Sequence, residues 1–330
     1  MKILVYGSGV IGSYLAHVLC TAGNDVTMLA RGRWKEKLEE QGLNIRHHLQ
    51  HKTTLDHPRV IGDINEDDTY DAVFAVMPYH RINAILEPLA RVRSPLVILV
   101  GNNMSPAAMQ DSILEKSVCD KQVLFGFQAT AGKRDHDKGM LICERAGAGA
   151  MDIGGLHSLP EKEVRDKLTG LFARTGYKLR WQPDMESYLI CHLAAILPIG
   201  FLAYACQGDL TASTGKQRKF MRMASREAYA MLKAQGIPIL PENDDRYYEP
   251  GVRGSLMQFL YFIMAKNKTI GDLVACEHCR NACEEMEMLN TAFEKIISRS
   301  PDFPMPNWRR LKGLMPDWET VRRQYADKVH

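Results

Sequence analysis

The feature that most constrains this chain is its opening, Ile3-Leu4-Val5-Tyr6 followed at once by Gly7-Ser8-Gly9-Val10-Ile11-Gly12. A short continuous apolar run suits a parallel strand buried on both faces. Ile11, Leu15, Val18 and Leu19 then recur at helical spacing, Gly23-Asn24 supplies a stop, and Val26-Thr27-Met28-Leu29 reads as a second strand. Strand, glycine turn, helix and strand within about thirty residues form the βαβ unit of a dinucleotide site. In that unit Gly7 permits the tight turn, Gly9 lets the backbone approach a pyrophosphate, and Gly12 lets the helix pack closely on the strand. The helix start adds N–H donors and positive dipole. Gly7, Ser8, Gly9, Val10, Ile11 and Gly12 are therefore the expected phosphate-binding residues; the competing reading is a purely structural glycine turn.

The end of the second strand indicates which nucleotide. An NAD site places an acid there for the ribose 2′-hydroxyl, whereas a 2′-phosphate needs a cation. Here the strand runs into Ala30-Arg31-Gly32-Arg33, with no acid before Glu36. Arginine matches phosphate geometry and stays charged, so NADP(H) is the expected cofactor, held by Arg31. The alternative is a pair of surface arginines at a helix start.

An α/β pattern continues. Residues 42–61 read as a hairpin or paired strands, and 71–77 and 96–100 as buried strands, with further strands at 122–130 and 149–153. Asn102 follows the strand at 96–100, at the end where parallel sheets bind ligands; an asparagine there is also a common turn former. From about Glu161 the texture becomes helical: 161–175, 185–205 (broken near Pro198), 216–235, 255–265 and 275–299, with a short strand at 178–181. The expected fold is α/β, an N-terminal Rossmann-type doubly wound sheet with a C-terminal all-helical domain. Residues 1–180 would bind NADP(H) and 181–330 the substrate, with the substrate cleft between them.

With 330 residues, two domains are the default. The net charge of +3, with acids and bases interleaved, gives no case for nucleic acid or an anionic membrane surface. The longest apolar candidate, residues 196–205, falls short of the ~20 residues that cross a bilayer. Eight scattered cysteines do not resemble a disulfide framework, and the start lacks a signal-peptide layout, so a cytoplasmic protein is expected. No metal is expected. Cys276, Cys279 and Cys283, around His278, align on one helical face that suits burial as well as ligation, and no second CxxC knuckle appears. His47, His48, His51 and His57 read as solvated strand residues.

Across nearly its whole length the chain resembles the ketopantoate reductase (2-dehydropantoate 2-reductase) family. The opening KILVYGSGVIGSYLA matches the family pattern, and the family's 2′-phosphate arginine falls on Arg31. Its segment after a strand appears as Gly101-Asn102-Asn103-Met104, which implies that Asn102 lies beside the nicotinamide. Glu284 to Asn290, then Pro306-Asn307, fit the family's carboxyl-terminal register. Glu285 matches its substrate-binding glutamate and Ser255 its substrate-side serine. The resemblance implies NADPH-dependent hydride transfer to a small carbonyl, 2-oxo acid-like substrate, and leaves a homodimer open. The chain also departs from the family. The stretch from Glu186 to Ala194 holds no lysine where the family's proton donor falls, near Leu189 or Ile190, and Pro78 replaces a second lysine. The stretch between Ser255 and Glu285 is also longer than the family pattern. His192, about one helical turn from the missing lysine, is the candidate replacement acid; a structural histidine is the alternative. An opine or amino-acid-type dehydrogenase and a non-catalytic NADP(H)-binding sensor remain competing readings.

Overall fold

A computed structural model describes residues 1–325 apart from Glu66 and Ala146, with backbone only for Leu273. The last five residues of the expected second domain, 326–330, lie outside the described residues. Chain contacts divide the chain into two compact units, Met1–Met185 and Glu186–His330.

The first unit alternates strand and helix through β1 (Lys2–Tyr6), α1 (Val10–Thr21), β2 (Asp25–Leu29) and α2 (Gly32–Gln41). It continues with β3 (Leu43–His47), β4 (Lys52–Asp56), β5 (Arg59–Ile61), β6 (Ala72–Val76), α3 (Tyr79–Ile82), α4 (Leu86–Arg91), β7 (Leu96–Val100) and α5 (Pro106–Glu115). β8 (Gln122–Phe127), β9 (Ala131–Asp135), β10 (Met140–Glu144), β11 (Ala150–Gly154), α6 (Lys162–Gly170) and β12 (Lys178–Trp181) complete it. β12 carries the sheet one residue past the boundary expected at 180. The main sheet has eight strands in the order β12-β11-β8-β7-β6-β1-β2-β5. β1 lies parallel between β2 and β6, with Val5 opposite Met28 and Phe74, and the one antiparallel pairing is β8 with β11. β6 and β7 are buried at every residue. Their unbroken Val, Ile, Leu, Ala and Phe content follows from covering on both faces.

A second sheet, β4-β3-β10-β9, was only half visible in the sequence. The β3–β4 hairpin alternates in register, but β3 also pairs in parallel with β10, far along the chain. This sheet packs on α1, so that helix is covered on both sides and is buried from Gly12 to Leu19. One reading is corrected here: His47 is fully buried, not solvated. As a neutral ring its Nδ1 accepts from Arg145 Nη2 at 3.2 Å, and its Nε2 lies 2.8 Å from Thr54 Oγ1. Burial, with the charges of His17 and Arg145, pushes its pKa down to about 4. His48, His51 and His57 are exposed.

The second unit comprises α7 (Met185–Ala205, whose first residue closes the first unit), α8 (Gly215–Ala234), α9 (Val252–Lys266) and α10 (Lys268–Gly271). α11 (Glu277–Asn281), α12 (Cys283–Ile297), α13 (Pro306–Lys312) and α14 (Trp318–Tyr325) follow. Three expectations change. α7 runs through Pro198 without a break: proline removes one backbone donor, while Leu197, Phe201 and Leu202 remain fully buried around it. At 21 residues α7 is also long and apolar enough, by length and composition, to cross a bilayer, contrary to the sequence estimate. Its most apolar window is 67% buried within the protein, as in a core helix. The single helix expected over 275–299 is instead a π turn (Asp272–Cys276) and two helices that meet at Ala282, whose φ of −132° and ψ of 37° leave helical geometry.

Candidate functional site

The glycine turn carries out three different geometric tasks. Gly7 has φ +115°, and a Cβ there would sit 2.2 Å from the Val76 carbonyl oxygen. A Cβ on Gly12 would sit 2.0 Å from the Gly7 oxygen, so α1 can approach β1 only with glycine there. Gly9, the N-cap of α1, has nothing within 4 Å of its Cβ position and no side-chain cap. The first intrahelical bond runs from Ser13 N–H to Gly9 O at 2.9 Å, which leaves the N–H groups of Val10, Ile11 and Gly12 outside the helical ladder. Open space above Gly9 and donors aimed out of the helix start fit a pyrophosphate. Ser8 supplies backbone, its carbonyl accepting from Ser13 Oγ at 3.2 Å.

Arg31 caps α2 just past β2. It donates from Nη2 to Asp63 Oδ1 at 3.1 Å, with 65% of the side chain exposed. Asn102 follows β7 and is buried. Its neighbour also holds the turn there: Asn103 Nδ2 donates to Leu99 O at 3.2 Å. Gly101, at φ +144°, brings this loop within 2.9 Å (Cβ position) of the Met77 carbonyl oxygen after β6. The glycine turn, Arg31 and Asn102 thus share the carboxyl edge of adjacent parallel strands, where ligands bind in this fold class.

The second unit brings together a different set. His192 on α7 is partly buried, and Glu285 on the first turn of α12 is buried. His278 on α11 places Nε2 3.9 Å from Glu285 Oε2. Burial first, then the charge of His278, pushes the His192 pKa down to about 4. At neutral pH His192 is therefore an uncharged N–H donor rather than an imidazolium acid. Gly200 allows the close packing behind this group, its Cβ position lying 2.5 Å from Met286 Cε and 3.8 Å from Cys279 Sγ. Leu189, at one estimated lysine position, is buried and apolar.

Ser255 stands apart on α9, exposed beside the exposed Val252, Leu256 and Phe259. Pro306-Asn307 is structural: Pro306 opens α13, and Asn307 N donates to Glu227 Oε1 of α8 at 3.1 Å. Cys276, Cys279 and Cys283 are buried, and burial raises their thiol pKa values, that of Cys279 to about 12. Among the described residues no cluster of three or more His, Cys, Asp or Glu could hold a metal ion. In the sequence His278 stands only within a cysteine pattern. Its pairing with Glu285, seven residues on, depends on the break at Ala282.

Comparison with known proteins now gives the family of the N-terminal domain. Residues 3–157 match the family model described as ketopantoate reductase PanE/ApbA. The N-terminal domain belongs to the ketopantoate reductase family. No curated protein matches the chain in sequence. A PanE/ApbA family ketopantoate reductase from Ralstonia eutropha shares its fold at TM-score 0.71 and 18% identity, covering 100% of both chains. The probable 2-dehydropantoate 2-reductase of Bacillus subtilis does so at TM-score 0.67 and 16% identity, covering 98% of this chain and 100% of its own. A D-mandelate dehydrogenase solved with NADH and anilino(oxo)acetate matches at TM-score 0.71 and 14% identity, with both chains fully covered. The N-terminal mixed sheet and helical C-terminal region are thus those of the ketopantoate reductase fold. An oxidoreductase of that type, dependent on a nicotinamide cofactor, is what family and fold support together.

Proposed function

We propose that the chain is an NADPH-dependent reductase that transfers hydride to a small carbonyl compound of the 2-oxo acid kind. The observation that carries this reading is the glycine turn, in which Gly7 and Gly12 tolerate no Cβ while Gly9 faces open space. The backbone of residues 7–12 would hold the pyrophosphate, Arg31 the 2′-phosphate, and Asn102 the nicotinamide end. The bound cofactor supplies the hydride. The second unit would supply His192 and Glu285 to the substrate, whereas Ser255, exposed on α9, is given no role there.

Hydride addition places negative charge on the carbonyl oxygen, which needs a donor. Neutral His192 would hydrogen-bond to that oxygen through its N–H, a role in which an imidazole of low pKa polarises a carbonyl without carrying charge, and the product hydroxyl would take its proton from water. Glu285 would accept from a substrate hydroxyl or amine. With neither family lysine present, ketopantoate itself is disfavoured as substrate. The fold likeness to a D-mandelate dehydrogenase bound to NADH and anilino(oxo)acetate supports a search among other 2-oxo acids.

The test is titration of the protein with NADPH and NADH, followed by a panel of 2-oxo acids including ketopantoate, read at the nicotinamide absorbance band. Turnover of a 2-oxo acid is the expected result. Tight NADPH binding without any turnover favours the sensor reading, and amine-dependent turnover the opine-type one.

A further inference from the structure

Beyond Arg31, three more guanidinium groups stand at the carboxyl edge that holds the glycine turn, on three elements far apart in sequence. Arg33 lies in the first turn of α2, directly after β2, and Arg81 lies on α3, directly after β6. Arg134 comes from β9 of the second sheet, with its guanidinium carbon 5.7 Å from the centre of the Trp34 ring. Trp34 in turn meets His136 edge-on at 5.4 Å. Among the described residues none of the three arginines has a carboxylate partner, whereas Arg31 is engaged by Asp63. The nearby acids are Asp135, held by Lys138 at 3.0 Å, and Asp137 beside His136. Burial first, then the charge of Arg81, lowers the Arg134 pKa, and burial first, then the charges of Arg134 and Arg33, lowers that of His136, which places these cations within one another's fields.

Like charges gathered without counter-charge raise the energy of the folded state and favour an anion that relieves them. Beyond the end of β2 lies the adenosine ribose in this fold class. Guanidinium forks suit phosphate oxygens better than a hydroxyl. We propose that Arg134, Arg81 and Arg33 form a clamp for the 2′-phosphate of NADPH, with Trp34 as the platform that orients Arg134. Arg31 then shares the phosphate with the clamp instead of deciding specificity alone. This inference rests on the proposed cofactor reading and adds a strand outside the βαβ unit as a specificity element.

The experiment is calorimetric titration of the intact protein with adenosine 2′,5′-bisphosphate, 5′-AMP, NADPH and NADH, for the wild type, Arg134→Gln and Arg81→Gln. Each arginine variant should weaken the bisphosphate and NADPH by about 10-fold or more, and leave 5′-AMP and NADH within about twofold. Arg134→Lys should recover part of the loss, because charge returns without the fork. An unchanged thermal midpoint in both Gln variants establishes that folding is intact. Equal weakening of all four ligands, or none, overturns the clamp. Equal wild-type affinity for NADPH and NADH overturns the clamp but leaves the nucleotide site standing. Failure of every ligand to bind overturns both readings.

Discussion

The carboxyl edge of the first unit's sheet and the His192–His278–Glu285 group of the second unit are built on opposite principles. The first is made of backbone: Gly7, Gly9 and Gly12 act through what they lack, and one local turn sets their positions. The second is made of side chains from three helices, and its chemistry depends on burial and neighbouring charge. A backbone site tolerates few residues at each position and so announces itself in sequence. A side-chain site can be rebuilt with other residues, which is why this chain can lack the family's lysines and still keep a polar group on α7.

The sharpest way to break the contrast is within the glycine turn. Gly12→Val forces a side chain onto the Gly7 carbonyl and should cost about 3 kcal/mol or more of stability together with nucleotide binding. Gly9→Asp sets its Cβ in open space, so its thermal midpoint should stay near the wild-type value. Its carboxylate would nevertheless repel the pyrophosphate and weaken NADPH by about 100-fold or more. Thermal melts and nicotinamide fluorescence titrations on both variants separate the two effects; a destabilised Gly9→Asp protein would contradict the open-space assignment.

Glu285→Gln addresses the other region. Losing the buried carboxylate should lower kcat/KM for the active 2-oxo acid by about 10- to 100-fold while NADPH affinity stays unchanged. A parallel loss of NADPH affinity would show that the two regions are not separable in the way proposed.

The smallest effect concerns pH. His47 and His192 both have folded pKa values near 4, against an unfolded value of about 6.5. Between those values the unfolded chain binds the extra proton, so stability falls as pH drops from about 6.5 towards 4, by at most about 3 kcal/mol for each residue. Urea unfolding across that range should show the slope, and His192→Gln should remove part of it. Activity should show no limb near pH 6.5 from His192, since it is neutral on both sides of that value. A kcat profile that falls with a pKa near 6.5, and loses that limb in His192→Gln, would restore the imidazolium acid.

The βαβ opening, the buried strands and the helical second half were legible because each rests on local periodicity: period two or unbroken apolar runs for strands, 3.6 for helices. The second sheet was not. β9 carries charged residues at Lys133, Arg134 and Asp135 and takes strand geometry by pairing with β10, which itself pairs with β3 across almost one hundred residues. Nor was the break at Ala282, since alanine is a strong helix former and nothing local announces the turn that brings His278 to Glu285.

By itself, the sequence determined the strand–turn–helix geometry of residues 2–21, because glycine's lack of a Cβ acts over a few bonds. It also placed Arg31 after β2 and left α7 without a lysine. Only the tertiary structure decided that His47 is buried beside Arg145 and that His192 is neutral. It alone brought His278 against Glu285, and Arg33, Arg81 and Arg134 to one edge. Those outcomes depend on burial and on the fields of residues remote in the chain, and both arise only when the elements pack.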